Sequence, residues 1–197
     1  MTMAARTTEG PTTPTLRRRI IDTPVGPLEL VSGPAGLRAV LWPGEDGSRV
    51  GRALDARESG AEGAPEGAPG ADPTGAAATA HLDRAEAQLQ EYFAGDRREF
   101  DLDLDPVGTD FQQRAWAALQ TIPYGQTMSY GQQAASLGDP GAARAVGAAN
   151  GRNPLSIVVP CHRVVASSGS LTGFAGGLDT KAWLLEHEQQ VLAADGA

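Results

Sequence analysis

Residues 43–78 contain little that a protein interior can use. Gly, Ala, Pro, Glu and Asp dominate the stretch. Such a composition buries too little apolar surface to offset the entropy of ordering it, about 1–2 kcal/mol per residue for the backbone alone. It reads as a flexible insertion, so the cores must come from what lies on either side. Residues 1–16 add nothing, being polar, Pro-rich and without a periodic apolar face, and read as a disordered tail. The 197-residue chain is therefore expected to divide into an N-terminal domain over 17–105, carrying the insertion, and a C-terminal domain over 106–197, each with a modest core.

Between Arg19 and Trp42, short apolar stretches (Ile20-Ile21, Leu28 to Val31, Leu37 to Leu41) are separated by Pro-Val-Gly-Pro and Gly-Pro-Ala-Gly, which reads as three strands joined by turns. Leu82, Ala85, Leu89 and Tyr92/Phe93 fall at helical spacing, with Gly95 placed to end the helix, which should pack on the sheet. Phe100 to Asp105 alternates apolar and acidic residues and predicts a strand with one wet face, closed by Pro106. The fold class expected is α+β, a small antiparallel sheet plus helix followed by a helical domain.

In the second half, Thr109 is a natural N-cap for a helix through Phe111, Ala115, Leu119 and Ile122, stopped by Pro123-Tyr124-Gly125. Met128 and Trp116 read as packing residues. Ser129 caps a second helix to about Leu137, Gly138-Asp-Pro-Gly141 is a tight turn, and Ala142 to Ala149 is helical by propensity with Arg144 exposed among small residues. Two short helices about a Gly/Pro turn suggest a helix-turn-helix. Leu155 to Val159 has a buried-strand pattern, Val164-Val165 and Leu171-Thr172 flank a candidate hairpin turn, and Lys181 to Val191 reads as a closing helix.

No apolar run approaches the roughly 18 residues of a membrane span, and the first twenty residues lack the basic-then-apolar order of a secretion signal. A cytoplasmic location is expected. The net charge of −8 argues at first against nucleic acid, but residues 106–197 hold five basic and six acidic residues, so nearly all the excess lies in 1–105. From 106 to 175 there are four basic residues against two acidic ones, and that stretch can face a polyanion.

The chain has one cysteine, so it can form no intramolecular disulfide and lacks the thiolates for a zinc site. A lone cysteine is most often a small buried apolar residue. Cys161 has unusual neighbours, however: Pro160 before it, His162 and Arg163 after it. A cysteine reacts as its thiolate and at a free pKa of ~8.5 needs a base or positive charge nearby, and histidine is the side chain suited to take the proton near neutral pH. Adjacent side chains tend to point apart, so His162 would reach the sulfur through a water. Glu188 or Glu186 could orient the imidazole.

With the strand pattern before it and the helix-turn-helix upstream, this constellation resembles the O6-alkylguanine-DNA alkyltransferase family, the methylated-DNA–protein-cysteine methyltransferases. The matching segments are Gly108 to Trp116, Ile122-Pro-Tyr-Gly-Gln-Thr127, Ser129-Tyr130, Ala142-Ala-Arg-Ala-Val-Gly147, Asn153-Pro154, Val159-Pro-Cys-His-Arg-Val164, Gly173 to Leu178 and Trp183-Leu-Leu-Glu-His-Glu188. The resemblance is strong over about 106–190 and loose over 19–42 and 80–105.

It implies an RNase H-like N-terminal domain and a winged-helix-like C-terminal one. Cys161 would take the O6-alkyl group of guanine, and possible O4-alkylthymine activity stays open. His162 would accept the thiol proton through water, Glu188 would hold the imidazole, and Asn153 would bridge the turn into the active-site loop. Arg144 would fill the space left by the extruded nucleotide, with Ala142, Ala143 and Ala145 allowing close approach to the minor groove of duplex DNA and Ser129 at the same surface. Tyr130, Ser156, Val164, Phe174 and Ala175 would form the base pocket.

No cofactor and no metal are implied, and the protein would act as a monomer, with clustering along DNA left open. Position 174 is Phe where most of the family has Tyr, which keeps an apolar wall and loses a hydroxyl. An alkyltransferase-like lesion-binding protein would lack the cysteine, a cysteine hydrolase would need an oxyanion hole, and a helix-turn-helix regulator would give Cys161 no role.

Overall fold

A computed structural model describes residues 16–45, 50 and 73–195. Strands β1 (Arg17–Ile21), β2 (Leu28–Gly33) and β3 (Gly36–Leu41) form an antiparallel meander in the order β1-β2-β3. Gly26, at φ 98°, supplies the left-handed residue that the first turn requires. Alternation along the strands sends Leu28, Leu30 and Val40 to one face, and Val31, Ala39 and Leu41 to the other, where Leu16, Val50 and Val107 cover them.

Helix α1 (Pro73–Ala94) buries Gly75, Ala78, Leu82, Ala85, Leu89 and Tyr92, alternating steps of three and four that keep one stripe on the sheet. Ser32 Oγ donates to Ala78 O at 2.6 Å, and Arg19 reaches Asp83 and Glu86 at 2.7 Å each. This corrects the expected insertion: residues 73–78 are the first turns of α1. Proline is tolerated at a helix start, the following residues are Ala-rich, and Gly75 and Ala78 gain burial against the sheet. Residues 46–49 and 51–72 of that segment, and residues 1–15 of the expected tail, lie outside the described residues, while Leu16 is buried.

Three predicted strand features also differ. Residues 100–105 make only a single bridge, Leu104 beside Leu37, with Leu37 N donating to Asp103 O (2.8 Å) and Asp105 N to Leu37 O (2.9 Å). Gly36 permits this approach, since a Cβ there would collide with the Asp103 carbonyl. Residues 155–159 are buried as expected but turn back on themselves rather than extend, and only Leu155 bridges, to Val40 through Val40 N to Pro154 O at 2.8 Å. The free edge of β3 thus holds both the end of the N-terminal half and the loop that leads to the cysteine. Finally, β5 (Val164–Val165) pairs in parallel with β4 (Met128–Ser129), not with Leu171-Thr172, although Ala166 N to Ser170 O (3.0 Å) does close a turn between them.

The remaining helices are α2 (Asp110–Leu119), α3 (Tyr130–Ser136), α4 (Ala143–Asn150) and α5 (Leu178–Asp195), with short 3₁₀ turns at Pro140–Ala142 and Cys161–Arg163. One apolar core runs through both halves, joining Leu30, Val40, Leu89 and Tyr92 to Trp116, Leu119, Leu155, Cys161 and Leu184. Among the described residues no helix is long and apolar enough to cross a membrane.

Candidate functional site

The helical half is set by its caps. Thr109 and Gln112 form a reciprocal capping box at α2, and Ser129 and Gln132 form another at α3. Gly138, at φ 85°, ends the α3 region, and Asp139 Oδ1 accepts from Gly141 N at 3.1 Å to start the turn into α4. A buried amide pair locks α3 to α4: Asn150 Nδ2 donates to Gln133 Oε1 (2.7 Å), and Gln133 Nε2 to Asn150 Oδ1 (3.2 Å) and Ala115 O (3.0 Å). With Val146, Ala149 and Asn150 turned inward, Arg144 and Ala145 are exposed and Ala142 and Ala143 half-buried.

Asn153, fully buried, organises the loop that follows. Its Nδ2 donates to Val159 O at 2.8 Å and its Oδ1 accepts from Leu155 N at 3.0 Å. Within this bracket, backbone bonds Val159 N to Leu155 O (2.8 Å), Val158 N to Ser156 O (2.9 Å) and Cys161 N to Val159 O (2.8 Å) coil the chain. The price is Ile157 at φ 73°, a left-handed conformation costing a β-branched residue about 1–3 kcal/mol and kept only where its surroundings impose it. Strain of this kind, not an extended strand, delivers Cys161 to its position.

The cysteine is 8% exposed, is in no disulfide, and lines a cavity of about 270 Å³ with Tyr130, Ser156, Phe174 and Ala175. The cavity opens beside α4, whose Gly147 and Asn150 complete its rim. Tyr130 lies over Gly147, and its hydroxyl donates to Thr172 O at 3.2 Å.

Behind the cysteine, His162 and Glu188 are both fully buried, with Nε2 of the imidazole 2.9 Å from Glu188 Oε1. Nδ1 of His162 is buried without a protein partner among the described residues. Glu188 also accepts from Arg163 Nε (3.0 Å) and Nη2 (2.9 Å), from Tyr92 OH (2.9 Å) and from Gly125 N (2.8 Å). Burial opposes the ionised carboxylate, but His162 and then Arg163 outweigh it and hold Glu188 at about 2. The Arg163 charge lowers it in the same direction whatever the charge on the imidazole. Burial lowers His162 below its ordinary value, against the pull of Glu188, so the ring is neutral near pH 7 and can accept a proton. Tyr92 is pushed well above its usual range by burial and then by Glu188, and stays a donor.

The structure therefore gathers Cys161, Tyr130, Ser156, Phe174 and Ala175 at one cavity, with His162 and Glu188 adjoining and Arg144 with its small neighbours on the exposed helix beside it. Val164 is fully buried, and its carbonyl accepts from Lys181 Nζ at 2.6 Å because that buried ammonium has to satisfy its protons internally. Glu186, the other carboxylate considered for His162, is exposed. Sequence reasoning missed the parts played by Arg163, Tyr92, Gly125 and Lys181. Arg163 was legible beside His162, whereas Tyr92 looked like any aromatic on a buried helical stripe. Lys181, whose Nζ also donates to Thr172 O (2.7 Å), ties the segments after Cys161 together. Among the described residues no cluster of three or more His, Cys, Asp or Glu could hold a metal ion.

Residues 110–190 match the family described as 6-O-methylguanine DNA methyltransferase, DNA binding domain, and residues 16–106 match its ribonuclease-like domain. A methylated-DNA–protein-cysteine methyltransferase of Mycobacterium bovis is 61% identical over 108 residues, a stretch covering 55% of this chain and 66% of the relative. The crystal structure of the Mycobacterium tuberculosis O6-methylguanine methyltransferase superposes with a TM-score of 0.69 at 45% identity, over 89% of this chain and 94% of that one. The same mycobacterial protein in complex with DNA gives a TM-score of 0.67, also at 45% identity, over 88% and 93% of the two chains.

Proposed function

The chain belongs to the 6-O-methylguanine DNA methyltransferase family, whose members carry out DNA repair by methyl transfer, and we propose that Cys161 is the acceptor in this protein. The observation that carries the reading is the cysteine lining a cavity, followed directly by an imidazole that a buried carboxylate holds at 2.9 Å. The thiol proton passes through a water to Nδ1 of His162, and Glu188 stabilises the imidazolium that results. The thiolate attacks the alkyl carbon in line. One S–C bond forms as the O6–C bond breaks, and the leaving guanine is protonated, with Tyr130 supplying a donor to N3.

Duplex DNA lies along α4 through its minor groove. Ala142, Ala143 and Ala145 permit close contact, Ser129 supports the same surface, and Arg144 enters the stack in place of the extruded nucleotide. Asn153 holds the turn that couples this helix to the cysteine loop. Ser156, Phe174 and Ala175 enclose the base. The thioether product is not reversed by any group in the chain, so each molecule reacts once, in the cytoplasm, as a monomer and without a cofactor. Incubation with a duplex containing O6-methylguanine is expected to add one methyl mass at Cys161, once per molecule. An unmodified cysteine, or continued turnover, refutes the assignment.

A further inference from the structure

Trp42 belongs to the N-terminal sheet region, yet its side chain is spent on the cavity. It follows β3 and is 5% exposed. The indole Nε1 donates to Ser156 Oγ at 3.1 Å. Its ring meets Phe174 edge-on, with centroids 5.4 Å apart and planes at 67°, a geometry favoured by the ring quadrupoles. It also lies flush on the backbone of Gly176, where a Cβ would come within 2.7 Å of the indole. One side chain thus grips both segments that contribute cavity walls, 155–157 and 173–176.

Asn153 holds the first segment at Leu155, and Lys181 and Tyr130 hold the second at Thr172; Trp42 adds a contact that joins the two walls to each other. Gly173 and Ala175 are exposed, and Phe174 is only half-buried. The other ring recorded against Phe174 is His162, farther away at 6.4 Å. Trp42 is the nearer backstop.

We propose that Trp42 sets the width of the Cys161 cavity and so the size of the O6 substituent that this protein accepts, making it a positioning and specificity-determining residue supplied by the N-terminal half. This rests on the alkyl-transfer reading above. Removing the indole opens space behind Phe174 and deprives Ser156 Oγ of its donor, so both walls can retreat. A wider cavity loses contact with a methyl group and gains room for a larger one. Pocket discrimination between substituents differing by a small apolar group is roughly 10- to 200-fold.

The test is a pair of single-turnover rates, for duplexes carrying O6-methylguanine and O6-benzylguanine, in the native protein, Trp42→Ala and Trp42→Phe. The benzyl-to-methyl rate ratio is expected to rise roughly tenfold in Trp42→Ala. In Trp42→Phe, which keeps a ring against Phe174 but loses the bond to Ser156 and the fused ring over Gly176, it rises by a smaller factor. A merely structural role would slow both substrates alike, and an unchanged ratio overturns the proposal. Where the alanine variant does not fold, the phenylalanine variant decides by the same criterion. Failure of the native protein to accept either group would instead overturn the alkyl-transfer reading itself.

Discussion

Replacing Glu188 with Gln tests whether the buried carboxylate is the electrostatic centre of the site. The side chain accepts from His162, Arg163, Tyr92 and Gly125. Glutamine has nearly the same shape but no charge, and it turns one acceptor into a donor facing donors. Arg163, 6% exposed, is then left as an uncompensated buried cation, a loss typically of about 3–5 kcal/mol. The titration gives a comparable figure. Moving a carboxyl from 4.5 to about 2 corresponds to about 3 kcal/mol in favour of the ionised form. Because the folded value is depressed, this contribution is complete above the unfolded value and is lost as pH falls from about 4.5 towards 2. His162 acts in the same direction: its folded value lies below 6.5, so acid favours the unfolded chain, which binds that proton more readily.

Urea unfolding followed by tryptophan fluorescence should show Glu188→Gln about 3 kcal/mol less stable at pH 7, with a flatter acid limb below pH 4.5. Adding Arg163→Met to that variant should restore part of the loss by removing the orphaned cation. Transfer to Cys161 should slow in both, since nothing then stabilises the imidazolium. A loss under about 1 kcal/mol with an unchanged acid limb would mean that Glu188 is no more than a surface-like ion pair, and the reasoning about proton acceptance would fall with it.

Tyr92→Phe removes one donor to that carboxylate and should cost about 1.5–3 kcal/mol by the same unfolding assay, with a raised midpoint for the acid transition. Asn153→Ala leaves Leu155 N without its acceptor and Val159 O without its donor in a buried loop and should destabilise by about 1–3 kcal/mol, and Asn153→Asp, which sets a buried carboxylate oxygen against the Val159 carbonyl, should lose at least as much. Arg144→Ala should slow repair in duplex DNA far more than transfer from the free alkylated base, because the residue is exposed and outside the cavity. Equal loss on both substrates would remove it from base extrusion. Gly36→Ala should be destabilising by more than about 1 kcal/mol in thermal unfolding, since the new Cβ has no room beside the Asp103 carbonyl.

What was legible in the sequence was whatever is written in short-range pattern. Thr109 and Ser129 act through residues three positions away, so their caps could be named in advance, as could the 3.6-residue stripe of α1 from Leu82 to Tyr92. Cys161, His162 and Glu188 were legible through the resemblance, because order and spacing carry it. The failures share a different cause. Leu155 to Val159 is as apolar as a buried strand, but its hydrogen bonds go to Asn153 and to its own backbone, and periodicity cannot distinguish burial in a coil from burial in a sheet. The alternation in 100–105 was real, yet a single bridge at Leu104 is all that β3 offers it.

The contacts of Tyr92 with Glu188 and of Trp42 with Ser156 span 96 and 114 positions, and no local rule reports which side chain of one half will complete the site of the other. The second arises where the edge of β3 takes the cysteine loop as a neighbour, Val40 beside Leu155, and the first where α1 meets α5. Once that edge is shared, the residue after β3 faces the reactive loop, while the last buried turn of α1 reaches the carboxylate behind it. The N-terminal half is then part of the chemistry's scaffold, which is why its substitutions should register in substrate preference and acid stability as well as in folding.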